Sequence, residues 1–128
     1  MWRPITAIRE GDNDGNPDTI GNPTWTSFFA SPNYPDYTSG ANNVSGATTT
    51  ILAHLFGDKV EFTLFSNAAG AVPREYTRFS DVARDVVDAR VFMGIHFRFA
   101  DTNALRQGTH VANWTFSHYL RPIGGNRR

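Results

Sequence analysis

Apolar positions recur at helical spacing in three stretches of the chain and alternate in a fourth. From Ser39 to about Phe56, Val44, Ala47, Ile51 and Leu55 repeat at intervals of three and four, the period of one helix face. Ser39 supplies an N-cap and Gly57 a stop. Ser80-Asp81 opens a second helix, in which Val82, Val86, Ala89 and Met93 share a face and Gly94 ends the run. A third helix runs from about Asp101 to Leu120 on the stripe Leu105, Ala112, Phe116 and Tyr119, with Pro122 beyond its end. Between the first two helices, residues 60–66 alternate in a strand-like way. Asn67 to Pro73 reads as a turn, and Arg74 to Phe79 as the returning strand of a short hairpin. Gly11 to Pro35 is rich in Gly, Asn, Asp and Pro and predicts a long loop, with turns at Asp14-Gly15, Asn16-Pro17 and Asn22-Pro23. A loop of this length in a compact domain is usually functional or a covering flap, and Trp25, Phe28 and Phe29 are expected to pin it to the core. Trp2 to Arg9 runs apolar like the end of a buried segment, so the chain is expected to begin inside a longer parent domain. The prediction is a mainly α fold. It is a partial helical bundle with one short β-hairpin and a long N-terminal loop, residues 1–128 forming one domain.

Composition narrows the function classes. The 128 residues are 40% hydrophobic and 19% charged, which suits one globular, soluble domain with a modest core. No run of about eighteen apolar residues is present, so no membrane span is expected. The Met1-Trp2-Arg3-Pro4 start has no apolar region of the kind that opens a signal peptide. The compartment stays open. The formal net charge is zero. Lys and Arg are scattered, and the final Arg127-Arg128 pair ends a Gly-Gly-Asn tail, so no nucleic-acid partner is expected. The chain has no cysteine, which removes disulfides, thiolate nucleophiles and Cys-type zinc sites.

Three short pieces then stand out together: Arg3-Pro4, Tyr37 to Asn43 at a helix start, and Ala89 to Phe99. As a set they have the makings of an oxyanion site. Arg3 and Arg90 each supply a rigid, permanently charged fork that matches two oxygens of a tetrahedral anion. Ser39-Gly40 at a helix N-terminus offers a hydroxyl and close backbone N–H groups, helped by the helix dipole. His96, as a neutral imidazole, offers a lone pair able to bond to phosphorus or vanadium. Arg90 and His96 are six residues apart, on different faces of a continuous helix, and Gly94 between them is expected to end the helix and turn His96 back.

The order and spacing of these pieces resemble the three-part signature of the vanadium-dependent haloperoxidase and type 2 phosphatidic acid phosphatase superfamily. Arg3-Pro4 matches the end of the first motif, Thr38-Ser39-Gly40-Ala41 the second, and Ala89-Arg90 with His96 the third. Gly94-Ile95-His96-Phe97-Arg98-Phe99 and Trp2 to Arg9 are most similar to the haloperoxidase branch. The resemblance covers about residues 2–113 and points to the C-terminal catalytic half of such an enzyme. It implies vanadate as cofactor, or phosphate in the same site. His96 is then the ligand to the metal, or the nucleophile of a phosphatase. Arg3 and Arg90 hold the equatorial oxygens, and Ser39 and Gly40 add hydrogen bonds. Hydrogen peroxide and a halide are the implied small-molecule partners. The chain departs from the pattern in three places. The first-motif lysine falls before residue 1. The second-motif acid–base histidine is Ala41, which cannot transfer a proton, where such help is typically worth about 10²–10⁴-fold. The acidic residue four places after the histidine is Ala100, with Asp101 one place later. Haloperoxidase-like activity, a phosphomonoesterase reaction with His96 as nucleophile, and a non-catalytic oxyanion-binding or interaction module or truncated product, which if truncated is expected to expose apolar surface and self-associate, are the readings that follow.

Other polar residues read as structural. Asp12, Asp14, Asn16 and Asp18 alternate as calcium-loop ligands do, but Pro17 and Pro23 stand where such a loop wants Gly and Glu, so a turn-rich loop is expected. His54 suits a helix C-terminus. His110 and His118 are eight residues apart on one helix, too far to chelate one metal, and Trp114 between them is expected to pack. Asp81, Asp85 and Asp88 read as a solvated helix face.

Overall fold

The computed structural model describes residues 2–119 and 121. It is mainly helical: α1 (Pro4–Arg9), a 3-10 turn (Gly11–Asn13), α2 (Gly40–Phe56), a hairpin of β1 (Phe62–Leu64) and β2 (Arg74–Tyr76), α3 (Phe79–Phe92) and α4 (Arg98–His118). Helix α2 is the hub, packed against both α4 and α3.

The segment that reads like the end of a buried run is a short helix. Pro4 occupies its first position, where the missing N–H costs nothing. Arg3 and Pro4 are buried, whereas Trp2 is exposed.

The core face of α2 is not the predicted apolar stripe. Its buried residues are Asn42, Gly46 and Thr49, while Val44 and Leu55 are 67% and 58% exposed. The reason is backbone proximity. Helix α4 meets α2 with Ala100, Ala104, Gly108 and Ala112, all buried and spaced by four. A Cβ added at Gly108 would sit 2.1 Å from the carbonyl oxygen of Asn43, and one at Gly46 would sit 2.4 Å from that of Leu105. Two backbones this close leave no room for large side chains, which fall on the flanks. Thr50 and Thr109 share a hydrogen bond of 3.3 Å across the same crossing. The stripe predicted for α4 is corrected likewise: Leu105 and Phe116 are half-buried and Tyr119 is exposed. The helix begins one turn before Asp101, where the Phe97 carbonyl accepts from the N–H of Ala100 at 3.0 Å. Leu120, Pro122 and the Arg127-Arg128 tail lie outside the described residues.

Helix α3 starts at Phe79, which was expected to end a strand. Its opening amides are satisfied from before the hairpin. The Asp58 carboxylate accepts from the Ser80 amide at 2.9 Å and hydroxyl at 2.8 Å, and the Asp58 carbonyl accepts from the Phe79 amide at 3.1 Å. These Ser80 bonds hold the Asp58 carboxyl below its usual range. Phe79, Ala83 and Val87 form the buried stripe; the predicted Val82, Val86, Ala89 and Met93 are half-buried beside it. The hairpin is shorter than predicted. Its register pairs Phe62 with Tyr76, Thr63 with Glu75 and Leu64 with Arg74, and the Phe62 ring lies 5.1 Å from that of Phe79, which ties the hairpin to α3.

The long loop is held mainly by its backbone. Asp12, Asp14 and Asn16 accept hydrogen bonds from the amides of Gly21, Asn16 and Asp18, so the alternating polar residues build turns. Trp25 does anchor, reaching the turn at Gly94 while its carbonyl accepts from Arg9 at 2.8 Å. Phe28 and Phe29 do not anchor with their rings, which are 84% and 54% exposed. It is the Phe28 amide that ties the loop down, donating to the Met93 carbonyl at 3.0 Å.

Elsewhere the polar residues lie as a solvated surface requires. Asp81, Asp85 and Asp88 pair with Arg84, Arg74 and Arg98. His54 stacks on Phe116 at 4.4 Å and meets Asn113 at 2.7 Å. His110 and His118 are exposed. Trp114, expected to pack, is 54% exposed and stacks on His118 at 4.6 Å. Among the described residues no helix is long and apolar enough to cross a membrane.

Candidate oxyanion site

Four segments converge at one end of the α2–α4 crossing: the residue before α1, the end of the long loop, the start of α2, and the α3–α4 turn. The turn depends on Gly94, whose φ of 71° is the left-handed conformation that favours glycine. It ends α3 with the Gly94 amide on the Val91 carbonyl at 2.9 Å and the Ile95 amide on the Arg90 carbonyl at 3.3 Å. The chain then dives inward, burying Ile95 and His96.

Arg3 is buried and clamps this turn to the loop. It donates through Nη1 to the Ile95 carbonyl at 2.7 Å, through Nε to the Tyr34 carbonyl at 3.1 Å, and through Nη2 to the carbonyls of Tyr34 and Pro35. Its fork, expected to face an oxyanion, is therefore largely spent on backbone. Nη1 also lies 3.7 Å from Oδ1 of Asp36. The same oxygen is 2.6 Å from Nδ1 of His96. That approach is within ion-pair range, but Oδ1 is off the line of the ring N–H, so neither atom has an aligned hydrogen bond. Tyr34 completes this side, with its ring 5.0 Å from the Arg3 guanidinium carbon and 6.4 Å from the His96 ring.

Across from it, Arg90 in the last turn of α3 donates to the Tyr34 hydroxyl at 3.3 Å, and its Nε is buried without a partner. Ser39 is buried at the N-cap position of α2 but makes no capping bond with its side chain. Its hydroxyl accepts from Asn42 at 3.3 Å. Asn42 also donates to Oδ1 of Asp101 at 2.7 Å. The Ser39 hydroxyl is near enough to favour the Asp101 carboxylate, but it is not aligned with it, and Oδ2 of Asp101 remains unpartnered. Gly40 follows as the first residue of α2, with open space where a Cβ would stand.

Burial dominates the electrostatics. It pushes the His96 imidazole below its ordinary 6.5, opposed by Asp101 and reinforced by Arg90. It pushes the Asp101 carboxyl above its ordinary 3.8, opposed by Ser39, His96 and Asn42. A neutral His96 keeps one ring nitrogen as a lone-pair donor, and Nε2 is buried without a partner. Arg90 Nε is a buried, unpartnered donor that an oxyanion oxygen would satisfy, whereas a lone pair on His96 Nε2 could bond only to the central atom of such an anion.

The sequence therefore names Arg3, Ser39, Gly40, Arg90 and His96, and the structure places them at the same end of the α2–α4 crossing as Tyr34, Asp36, Asn42 and Asp101. Asp101 and Asn42 were visible as neighbours of motif positions. Tyr34 and Asp36 carry no spacing signal; the Arg3 clamp and the Arg90 bond to the Tyr34 hydroxyl hold this part of the loop at the site. Ala41 lines a groove between α2, α3 and the hairpin, with Val44, Leu52, Leu64 and Val82.

This fold and this cluster define a helical protein with a buried cationic and imidazole-bearing site. Residues 1–125 match the family described as the VCPO second helical-bundle domain, and the chain belongs to the vanadium haloperoxidase family. Among solved structures it is similar to the first bacterial vanadium-dependent iodoperoxidase, at 28% identity and a TM-score of 0.76, over 90% of this chain and 26% of that one. It is also similar in fold to a bacterial vanadium-dependent chloroperoxidase. The holo form matches at 20% identity and a TM-score of 0.72, over 90% of this chain and 29% of that one. The apo form matches at 21% and 0.72, over 90% and 30%. The chain thus spans less than a third of the length of these structures. Among curated proteins none matches it.

Proposed function

We propose that this chain carries an oxyanion site for vanadate of the haloperoxidase kind, with peroxide-driven halide oxidation as its reaction. The observation that carries the reading is the pair of buried, unpartnered groups, Arg90 Nε and His96 Nε2, in a chain of the vanadium haloperoxidase family. The residues fit the anion. Arg90 donates and neutralises, Ser39 and the Gly40 N–H orient oxygens from the start of α2, and His96 Nε2 offers the lone pair that ligates the metal. Arg3 contributes charge and holds the loop while its N–H groups serve carbonyls. Vanadate, when bound, supplies the electrophilic centre at which peroxide becomes reactive toward halide. Position 41 has no proton to give, so turnover is expected to fall by about 10²–10⁴-fold against an enzyme with an acid–base group there.

Orthovanadate binding by calorimetry at neutral pH, with phosphate as competitor, tests the site. Saturable binding weakened at least about 10-fold by Arg90→Ala and lost in His96→Ala is the expected result, since a charge-assisted hydrogen bond is worth about 1.5–3 kcal/mol. A folded protein that binds no vanadate overturns it.

The free Nε2 serves equally as a nucleophile toward phosphorus, which keeps a phosphomonoesterase as the second reading. With no acid at position 41, that reaction is expected on an activated aryl phosphate and not on an alkyl one. A third reading, an interaction module, draws on the apolar groove of about 520 Å³ that Ala41 lines. Self-association through it predicts a size-exclusion profile that shifts with concentration; an invariant compact monomer counts against it.

A further inference from the structure

We propose that Asn42 and Asp101 are positioning residues: Asn42 bridges Asp101 and Ser39 through its amide nitrogen, so that the Ser39 hydroxyl keeps its own hydrogen for an anion. The inference deepens the oxyanion reading and rests on it for the anion that this hydroxyl meets.

The argument is geometric. Ser39, Asn42 and Asp101 are all 0% exposed. Nδ2 of Asn42 donates to Oδ1 of Asp101 at 2.7 Å and to the Ser39 hydroxyl oxygen at 3.3 Å. A side-chain amide nitrogen has two hydrogens, and these two bonds use both. Oδ1 accepts whether or not the acid is ionised, because Oδ2 has no partner and is free to carry the proton. Turning the amide over would press its carbonyl oxygen against that accepting oxygen in a fully buried place. Asn43 cannot serve instead, since its amide donates to the Thr38 hydroxyl at 3.0 Å and the Ser39 carbonyl at 3.3 Å.

Ser39 does not spend its hydroxyl on the helix. It stands at the N-cap of α2 with no side-chain capping bond, where a serine ordinarily accepts from an early helix amide. Its oxygen accepts from Asn42 instead, and a hydroxyl that accepts one bond still has a hydrogen to donate. The rival acceptor is the Asp101 carboxyl, which Asn42 holds by Oδ1 while Oδ2 stays out of line with the hydroxyl. The bridge also sets position. Asp101 lies in the first turn of α4, and the Ser39 amide donates to the Ala100 carbonyl in that turn at 3.4 Å. Side chain and backbone together pin the start of α2 to the helix that follows the His96 turn.

Proton–nitrogen spectra of the nitrogen-15-labelled chain without vanadate test the bridge, with the Asn42 side-chain amide assigned through its own backbone signals. The expected result is slow solvent exchange of both amide hydrogens, and a shift of one of them alone in Ser39→Ala. Free exchange of either hydrogen overturns the bridge, as does a Ser39→Ala spectrum in which neither or both move. Orthovanadate titration by calorimetry tests the consequence. Asn42→Ala and Asp101→Ala are expected to weaken binding about 10-fold, as Ser39→Ala does, since each costs one hydrogen bond to a charged group. In the Ser39→Ala background Asn42→Ala should weaken it no further. Asp101→Asn keeps an acceptor for the amide and should bind as the unmodified chain does. A further loss in the Ser39→Ala background marks a merely structural bridge and overturns the proposal. Unchanged affinity in Asn42→Ala overturns it too, and so does an equal loss in Asp101→Asn and Asp101→Ala. If the alanine variants at 42 and 101 do not fold, the amide signals and Asp101→Asn decide. The expected amide signals without vanadate binding overturn the oxyanion site and leave the bridge. Vanadate binding by a chain whose Asn42 amide exchanges freely does the reverse.

Discussion

Gly94 shows how much one position decides. Its left-handed φ turns the chain between Arg90 and His96, and a Cβ there would meet the Trp25 ring at 2.7 Å. Gly94→Ala therefore combines backbone strain with a clash and is expected to cost about 1–3 kcal/mol, read as a lower urea midpoint. His96 adds a pH dependence of definite sign. Burial lowers its folded-state pKa below 6.5, so the unfolded chain takes up a proton that the folded chain refuses. This contribution to stability is complete above that value and is lost as pH falls through the folded value. The raised Asp101 works in the opposite sense, contributing fully below 3.8 and losing that contribution as pH rises through its folded value. His96→Gln should flatten the fall in urea midpoint between about pH 7 and 5; an unchanged slope would show that His96 is not the titrating group.

At the scale of elements, the α2–α4 crossing is the joint on which the site is mounted, and it is made of small residues. Gly108→Ala places a Cβ 2.1 Å from a backbone oxygen and 2.9 Å from a backbone nitrogen. Neither can yield as a flexible side chain would, so the helices must part. A loss of about 1–3 kcal/mol or more is expected, together with weaker vanadate binding, because Ser39, Asn42 and Asp101 sit at one end of this crossing. Gly40→Ala is the control for stability alone: nothing lies within 4 Å of an added Cβ, and thermal unfolding should show stability unchanged or slightly raised.

Over the whole molecule, residues distant in sequence are drawn together chiefly by Arg3. Arg3→Lys keeps the charge but loses the planar fork, which cannot then hold the carbonyls of Tyr34, Pro35 and Ile95 at once. Limited digestion with a protease that cuts after aromatic residues should cleave faster at Phe28, Phe29 and Tyr34 than in the unmodified chain. Equal rates would mean that the Phe28 and Trp25 anchors suffice. The sequence by itself determined a mainly α chain, its three main helices and hairpin to within a turn, and the breaker at Gly94, and it singled out Arg3, Ser39, Gly40, Arg90 and His96 as candidates for the site. Periodicity, glycine and motif spacing are local signals, and a chain of known order preserves them. The tertiary structure alone decided which face of each helix is buried, because α2 and α4 approach closely enough to favour Gly46 and Gly108 over Val44 and Leu55. It alone brought Tyr34 and Asp36 to His96, because that contact spans about half the chain and depends on where one arginine finds its carbonyl partners.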